Sequence, residues 1–294
     1  MNKKSDNFLL KDVENGLKIS NKHAGTRLIK GICDLWHHKH LCDIVIKCNG
    51  EEIQAHKTVL AIHSDYFRAM FTAGFEESSQ QQSVVTMNEA LPRALKLIID
   101  YMYTGNITVN KESVQDVVVL ADLLQMSDLK KICCKYMETL LDVSNCLGVW
   151  DFSEKYSCTE LLDKSLMLLK QRFLTVCQME EFLLLSADKL KRVLGFQDLY
   201  LGIEGESSVL DAVFKWLEYD TVNRITDFCD VIKLVKLKYV CRKVLKKFMD
   251  SAVVRENKVI LETVQDQLVV EESNPREAVR HLYVIGGYLQ SRTG

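Results

Sequence analysis

Several groups in this chain are of types that do chemistry. His37-His38-Lys39-His40 sets three imidazoles together, and ten cysteines lie at 33, 42, 48, 133, 134, 146, 158, 177, 229 and 241. Gly202-Ile203-Glu204-Gly205-Glu206-Ser207 has the glycine spacing of a loop that could cradle phosphate, and Lys233, Lys236, Lys238, Arg242, Lys243, Lys246 and Lys247 form a basic run. Each lacks what its chemistry needs. A zinc site wants paired cysteines or histidines at ligand spacing, and no CxxC pair or carboxylate cluster accompanies the histidines. Three imidazoles at a helix C-terminus are explained by the dipole alone. The glycine turn lacks the Gly-Lys-Ser/Thr ending, and its two glutamates would repel an anion, so it reads as a connection between helices. The basic run reads as a solvated helix face. No Gly-x-Ser-x-Gly, His-Glu-x-x-His or Walker pattern occurs, so we expect no catalytic, metal or cofactor site.

The elements that must position these groups are bounded by composition. In 294 residues, 47% are hydrophobic and 27% charged, and 38 Lys+Arg oppose 40 Asp+Glu for a net charge of -2. That is the profile of a folded globular chain, and it excludes a nucleic-acid or membrane-surface role driven by bulk charge. No apolar run approaches the roughly 18 residues of a membrane span. The unpaired cysteines read as reduced, mostly buried thiols of a cytosolic protein.

Two regions differ in period. Cys42 to Cys48 is β-branched and partly alternating, Asn49-Gly50 follows, and Glu51 to Ala55 answers it, a hairpin signal because both turn residues need positive φ. His56 to Phe71 is helical, with Ser64-Asp65 placed to start a second helix; a strand is expected at 83–87 and a helix from Pro92 to about Tyr103. From about 110 to 270 no proline interrupts a three-and-four spacing of apolar residues, which predicts a succession of helices capped near Asn110, Ser127, Ser144, Ser157 and Ser208. Glu271-Glu272-Ser273-Asn274-Pro275 then reads as a linker, and His281 to Tyr288 as one strand ending in Gly286-Gly287.

Leu41-Cys42-Asp43-Ile44-Val45-Ile46, Ala55-His56-Lys57-Thr58-Val59-Leu60-Ala61, Ser64-Asp65-Tyr66-Phe67-Arg68-Ala69-Met70-Phe71 and Tyr101-Met102-Tyr103-Thr104-Gly105 resemble the BTB/POZ domain of BTB-BACK-Kelch proteins. Asn145-Cys146-Leu147-Gly148, Tyr156-Ser157-Cys158, Glu180-Glu181-Phe182-Leu183 and Ala212 to Leu217 resemble the BACK domain, and Leu282 to Tyr288 is similar to a first kelch strand. The resemblance implies an α+β BTB/POZ domain followed by an all-α BACK domain: a tail at 1–17, BTB/POZ at 18–141, BACK at 142–262, a linker at 263–276 and an incomplete kelch repeat at 277–294. A propeller needs several blades of about 50 residues, so the target-capturing module is expected to be missing, whether through shortening or as a short isoform.

In such families the BTB domain dimerises and binds cullin-3, BACK extends that contact, and the propeller captures the ubiquitination target. The resemblance places the cullin contact at Phe75 and Glu77, with Ala69 and Met70 lining a groove and Cys158 in the second element. Periodicity alone leaves open whether Phe75 folds back on the core or stands exposed, favours a core place for Ala69 and Met70, and allows Cys158 as an ordinary buried thiol. Leu28, Ile32 and Leu35 repeat at helical spacing and are the dimer-face candidates, although such a helix can also cover its own sheet. Asp43 matches a position near that interface; the alternative is a strand-start carboxylate bonded to backbone. The expected role is a homodimeric, non-enzymatic cullin-3 adaptor in the cytoplasm and nucleus, able to form heterodimers with related BTB proteins, with no nucleic-acid or membrane partner. Alternatives are a dimer that recruits transcriptional corepressors and a shortened inhibitor that forms mixed dimers with full-length adaptors.

Overall fold

The Ile44-Val45-Ile46 run is buried on both faces, which suits the middle strand of a sheet. In the computed structural model, which describes residues 8–13, 16–72 and 83–269, strand β3 (Ile44–Cys48) is the centre of a three-stranded sheet. β3 pairs antiparallel with β4 (Glu51–Ala55) and parallel with β5 (Ser83–Thr86). Asn49 (φ 46°) and Gly50 (φ 88°) make the turn between β3 and β4, as Asn-Gly requires. Before this sheet, β1 (Phe8–Val13) and β2 (Gly16–Asn21) form a separate antiparallel hairpin, followed by α1 (Ala24–His37). Within the stretch 1–17 expected as a tail, Phe8–Val13 is thus a paired strand.

Helices α2 (Lys57–His63), α3 (Asp65–Thr72), α4 (Pro92–Thr104), α5 (Val114–Leu123) and α6 (Ser127–Thr139) complete the first of two compact units, which meet at Leu140 and Leu141. Pro92 sits in the first turn of α4, where its missing N–H costs nothing, and Gly105 (φ 70°) ends the helix in the left-handed conformation. The core under these helices is Phe67, Leu95, Ile98, Ile99, Val117 and Val118 around the central strand.

The second unit is all helix: α7 (Cys146–Lys155), α8 (Thr159–Gln171), α9 (Phe173–Val176), α10 (Glu180–Leu183), α11 (Ala187–Gly195), α12 (Glu206–Tyr219), α13 (Thr221–Ile232), a 3-10 turn at Leu237–Tyr239, α14 (Arg242–Met249), α15 (Ala252–Arg255) and α16 (Lys258–Val269). Its core centres on Trp150, Trp216, Phe173, Phe182 and Phe228. Both indoles have partners: Trp216 Nε1 donates to Leu185 O at 2.8 Å, and Arg192 stacks 4.8 Å over Trp150 while bonding both carboxylate oxygens of Glu154. Gly148 in α7 approaches Glu181 so closely that a Cβ would stand 2.9 Å from its carboxylate.

The expected caps are corrected in detail. Asn110 does accept from the Ser113 and Glu112 amides, but Ser127 is already inside α6, Asn145 rather than Ser144 precedes α7, and Ser157 lies in a left-handed turn (φ 52°) ahead of Cys158. Ser208 is within α12, which starts after Gly205; the side chains that cap helices in this unit, among the described residues, include Ser186, Asp220 and Asn257. The linker at 271–275 and the strand at 281–288 lie outside the described residues.

Candidate partner-binding surface

Ser64 builds the corner that positions the surface. Fully buried between α2 and α3, its hydroxyl donates to Leu124 O at 2.6 Å and accepts the Phe67 amide at 3.2 Å, capping α3 and tying the corner to α5. Arg68 reaches back from α3, donating from Nε to Ala61 O at 3.0 Å and pairing with Asp65 at 2.8 Å, so the exposed carbonyls ending α2 are satisfied.

Outside this corner lies a recess of about 570 Å³ lined by Lys57, Thr58, Ala61, Ile62, Arg68 and Phe71. Its floor is apolar and its rim cationic. Ile62 is 64% exposed although it is a large apolar residue on a helix whose Val59 and Leu60 are buried. Phe71 stacks on the buried Phe67 with centroids 5.7 Å apart, and the Lys57 ammonium lies 5.9 Å from its ring. A side chain from a partner helix would find hydrocarbon below and positive charge at the edge.

The sequence-derived residues divide. Ala69 is exposed and Met70 half-buried on α3, but the recess is lined by their neighbours Arg68 and Phe71, because each step along a helix turns the side chain by about 100°. Phe75 and Glu77 lie outside the described residues. Cys158 is buried at the start of α8, its Sγ donating to Tyr156 O at 3.6 Å and its amide to Ser153 O at 2.8 Å, so the thiol faces its own unit. Burial likewise pushes the Cys133 thiol up to about 11 and that of Cys146 up to about 12, which keeps both protonated at neutral pH.

On α1 the face divides along its length. Leu28 and Ile29 are 64% and 57% exposed, whereas Ile32 and Leu35 are half-buried. Trp36 turns inward, donating to Gln54 O at 2.8 Å and stacking on Tyr103 at 4.2 Å, and Cys33 bonds Tyr103 O. The end of α1 is thus anchored on its own unit while its start offers uncovered apolar surface, joined in this respect by Leu17 and Ile19 of β2. Asp43 makes a local bond: its Oδ1 accepts the Lys57 amide at 2.7 Å at the start of α2.

The imidazoles are also accounted for. The Tyr103 hydroxyl accepts the His56 amide at 2.8 Å and donates to His56 Nδ1 at 2.7 Å, leaving Nε2 to donate to His40 O at 3.0 Å. Burial raises the Tyr103 phenol well above its ordinary value, so it stays a donor. Among the described residues no three His, Cys, Asp or Glu side chains are grouped to hold a metal ion, and no helix is long and apolar enough to cross a membrane. Glu206 of the glycine turn is buried and accepts the Lys236 amide at 3.1 Å, a structural part of the connection between helices.

Family models match both units. The model of the BTB/POZ domain covers residues 33–141, from the second half of α1 to the end of the first unit. That of BACK, "BTB And C-terminal Kelch", covers 146–250, from α7 to the end of α14. The chain carries a BTB/POZ domain followed by a BACK domain. BTB/POZ domains mediate protein–protein contacts and dimerisation, and the BTB-BACK pair is typical of non-catalytic proteins of the substrate-adaptor type. The recess, the capped corner and the uncovered start of α1 are features of the BTB/POZ unit, and the tryptophan-centred core is that of the BACK unit.

Proposed function

We propose that this BTB-BACK chain is a homodimeric adaptor that presents cullin-3 to a ubiquitination target, with one cullin site on each protomer. The observation that carries the reading is the recess on the α2–α3 corner: an open hollow lined by an exposed isoleucine and a phenylalanine, the latter on the same helix as Ala69 and Met70, which the family resemblance marks for cullin contact. A water-facing apolar hollow of this kind gains burial free energy only when a partner covers it, roughly 25 cal/mol for each Å² removed from water.

We assign dimerisation to the start of α1, where Leu28 and Ile29 are largely exposed among the described residues, with Ile32 and Leu35 continuing the stripe. A two-fold contact would lay the same face of two copies against each other. Phe75 and Glu77 would supply an aromatic anchor and a charge-assisted hydrogen bond to the cullin, and Cys158 would mark a second element that packs against the cullin's N-terminal extension.

Titration calorimetry with the purified N-terminal domain of cullin-3 tests the reading. Binding at one copy per protomer is expected, and the double variant Phe75→Ala, Glu77→Lys is expected to lose about 100-fold in affinity with an unchanged circular-dichroism spectrum, since an anchor residue contributes roughly 2 kcal/mol or more. Equal affinity for the variant would remove the assignment of these two residues.

A further inference from the structure

The basic run at the end of the BACK unit has a second property that the adaptor reading does not use. From Val231 to Met249 the chain has seven cations and no acidic residue. Two of the seven are occupied: Lys233 pairs with Asp230 at 2.9 Å, and Lys236 Nζ donates to Gln197 Oε1 at 2.9 Å. The other five, Lys238, Arg242, Lys243, Lys246 and Lys247, are exposed, and among the described residues none is paired with a carboxylate. Elsewhere on the molecule several exposed cations have one, as Lys47 has Glu52, Arg192 has Glu154 and Arg255 has Asp250.

Helix geometry gathers the five. In α14, positions 242, 243, 246 and 247 fall within one arc of about 140° and span about 7.5 Å along the axis. Lys238 precedes them on the 3-10 turn. The opposite side of the same helix is apolar and consumed by the core: Val244, Leu245 and Met249 are partly buried there, and Phe248 is 4% exposed, edge-on to Phe214 with centroids 5.3 Å apart. Arg242 with Lys246, and Lys243 with Lys247, are like charges at i,i+4, an arrangement that works against the isolated helix. An anion laid along the stripe relieves that repulsion.

We propose that this face of α14, with Lys238, binds an acidic segment of a partner protein. The occupant is chosen by charge and by what the helix lacks. No apolar face of α14 remains to enter a bilayer, which an interfacial helix requires. The remaining chain has 31 cations (38 less seven) against 40 acids, so a long polyanion such as nucleic acid meets a repelling field beyond the stripe. A short run of Asp and Glu senses the five cations alone, since screening confines the interaction to about 8 Å at physiological salt. The site is separate from the α2–α3 recess, and its test does not depend on cullin binding.

The test uses the intact chain and a fluorescein-labelled oligoglutamate peptide of about 12 residues, long enough to follow the stripe, read by fluorescence anisotropy at about 50 mM salt, where screening is weak. Saturable binding is expected, weakening at least about tenfold by 300 mM salt, as exposed charge pairs do. The variant Lys243→Glu, Lys247→Glu should lose at least about tenfold in affinity, with Lys111→Glu, an exposed site on the other unit, unchanged. Circular dichroism checks that the variants keep their fold. Three results would overturn the proposal: no binding to about 100 μM peptide, equal binding by the double charge reversal, or tighter binding of single-stranded DNA of similar length or of phosphatidylserine vesicles than of the peptide.

Discussion

Ile62→Asp is expected to weaken binding of the cullin-3 N-terminal domain about 100-fold while moving the unfolding temperature by no more than about a degree. The two parts have separate causes. Ile62 is 64% exposed, so the folded chain loses almost no packing when its side chain changes. In the proposed complex the same position would be covered, and a carboxylate there would be stripped of water against the Phe71 ring and the Ala61 methyl. A central apolar anchor is worth roughly 2 to 3 kcal/mol, which corresponds to about 30- to 150-fold in affinity. Lys57 and Arg68 at the rim would soften the effect of the new charge, but Arg68 is already committed to Asp65 and to the carbonyls ending α2. Affinity by calorimetry and the melting curve of the same sample decide the matter. A large fall in melting temperature would show that Ile62 supports the fold, and an unchanged affinity would move the cullin contact away from the recess.

The second large effect is on stability. Trp216→Ala is expected to lower the unfolding free energy of the BACK unit by about 4 kcal/mol, measured by denaturant melts followed through helix content. Trp216 is 1% exposed in the C-terminal half of α12, among the largest wholly buried side chains of the described residues. Its removal opens a cavity bordered by a core that has no spare side chain to fill it, and it leaves Leu185 O without the indole N–H that it accepts. Arg224, which lies 4.4 Å over the indole and donates to Trp216 O at 2.6 Å, loses its stacking surface as well. Trp216→Phe keeps most of the volume and should recover about half of the loss, leaving mainly the unpaired carbonyl. A change of less than about 1 kcal/mol for the alanine variant would mean that α12 is not the centre of that core.

Legibility in the sequence followed the strength of local rules. The β3–β4 hairpin was readable because Asn49-Gly50 admits one turn conformation, and α4 because Pro92 and Gly105 each suit one helix end. The helices of the BACK unit were readable as a series from apolar spacing, but their starts were not. Serine stands near many helix starts here, and only the backbone angles reveal that Ser157 has turned left-handed, that Ser208 is inside a helix, and that Ser186, hidden after Leu183-Leu184-Leu185, is the side chain that caps. The strand at Phe8–Val13 was missed because its partner β2 is exposed over most of its length, and such a two-stranded hairpin imposes little alternation.

The candidate surface was legible in part for a similar reason. Family motifs direct attention to Ala69 and Met70, yet which side of α3 borders a hollow depends on where α2 lies beside it, and that is decided by the Ser64 and Arg68 contacts rather than by spacing. Ile62 did carry a signal of its own: an isoleucine on the face of α2 opposite to Leu60, with no local reason to be apolar. Asp43 shows the converse. Its place in the motif suggested an interface, and its carboxylate is used at once by the Lys57 amide two elements away.

Light scattering coupled to gel filtration, at about 10 μM chain with and without an excess of the cullin-3 N-terminal domain, is the direct test of the adaptor account. Two chains per particle alone, and two chains with two cullin domains in the mixture, are expected. A particle of one chain, or a dimer whose mass is unmoved by the added cullin domain, would contradict it.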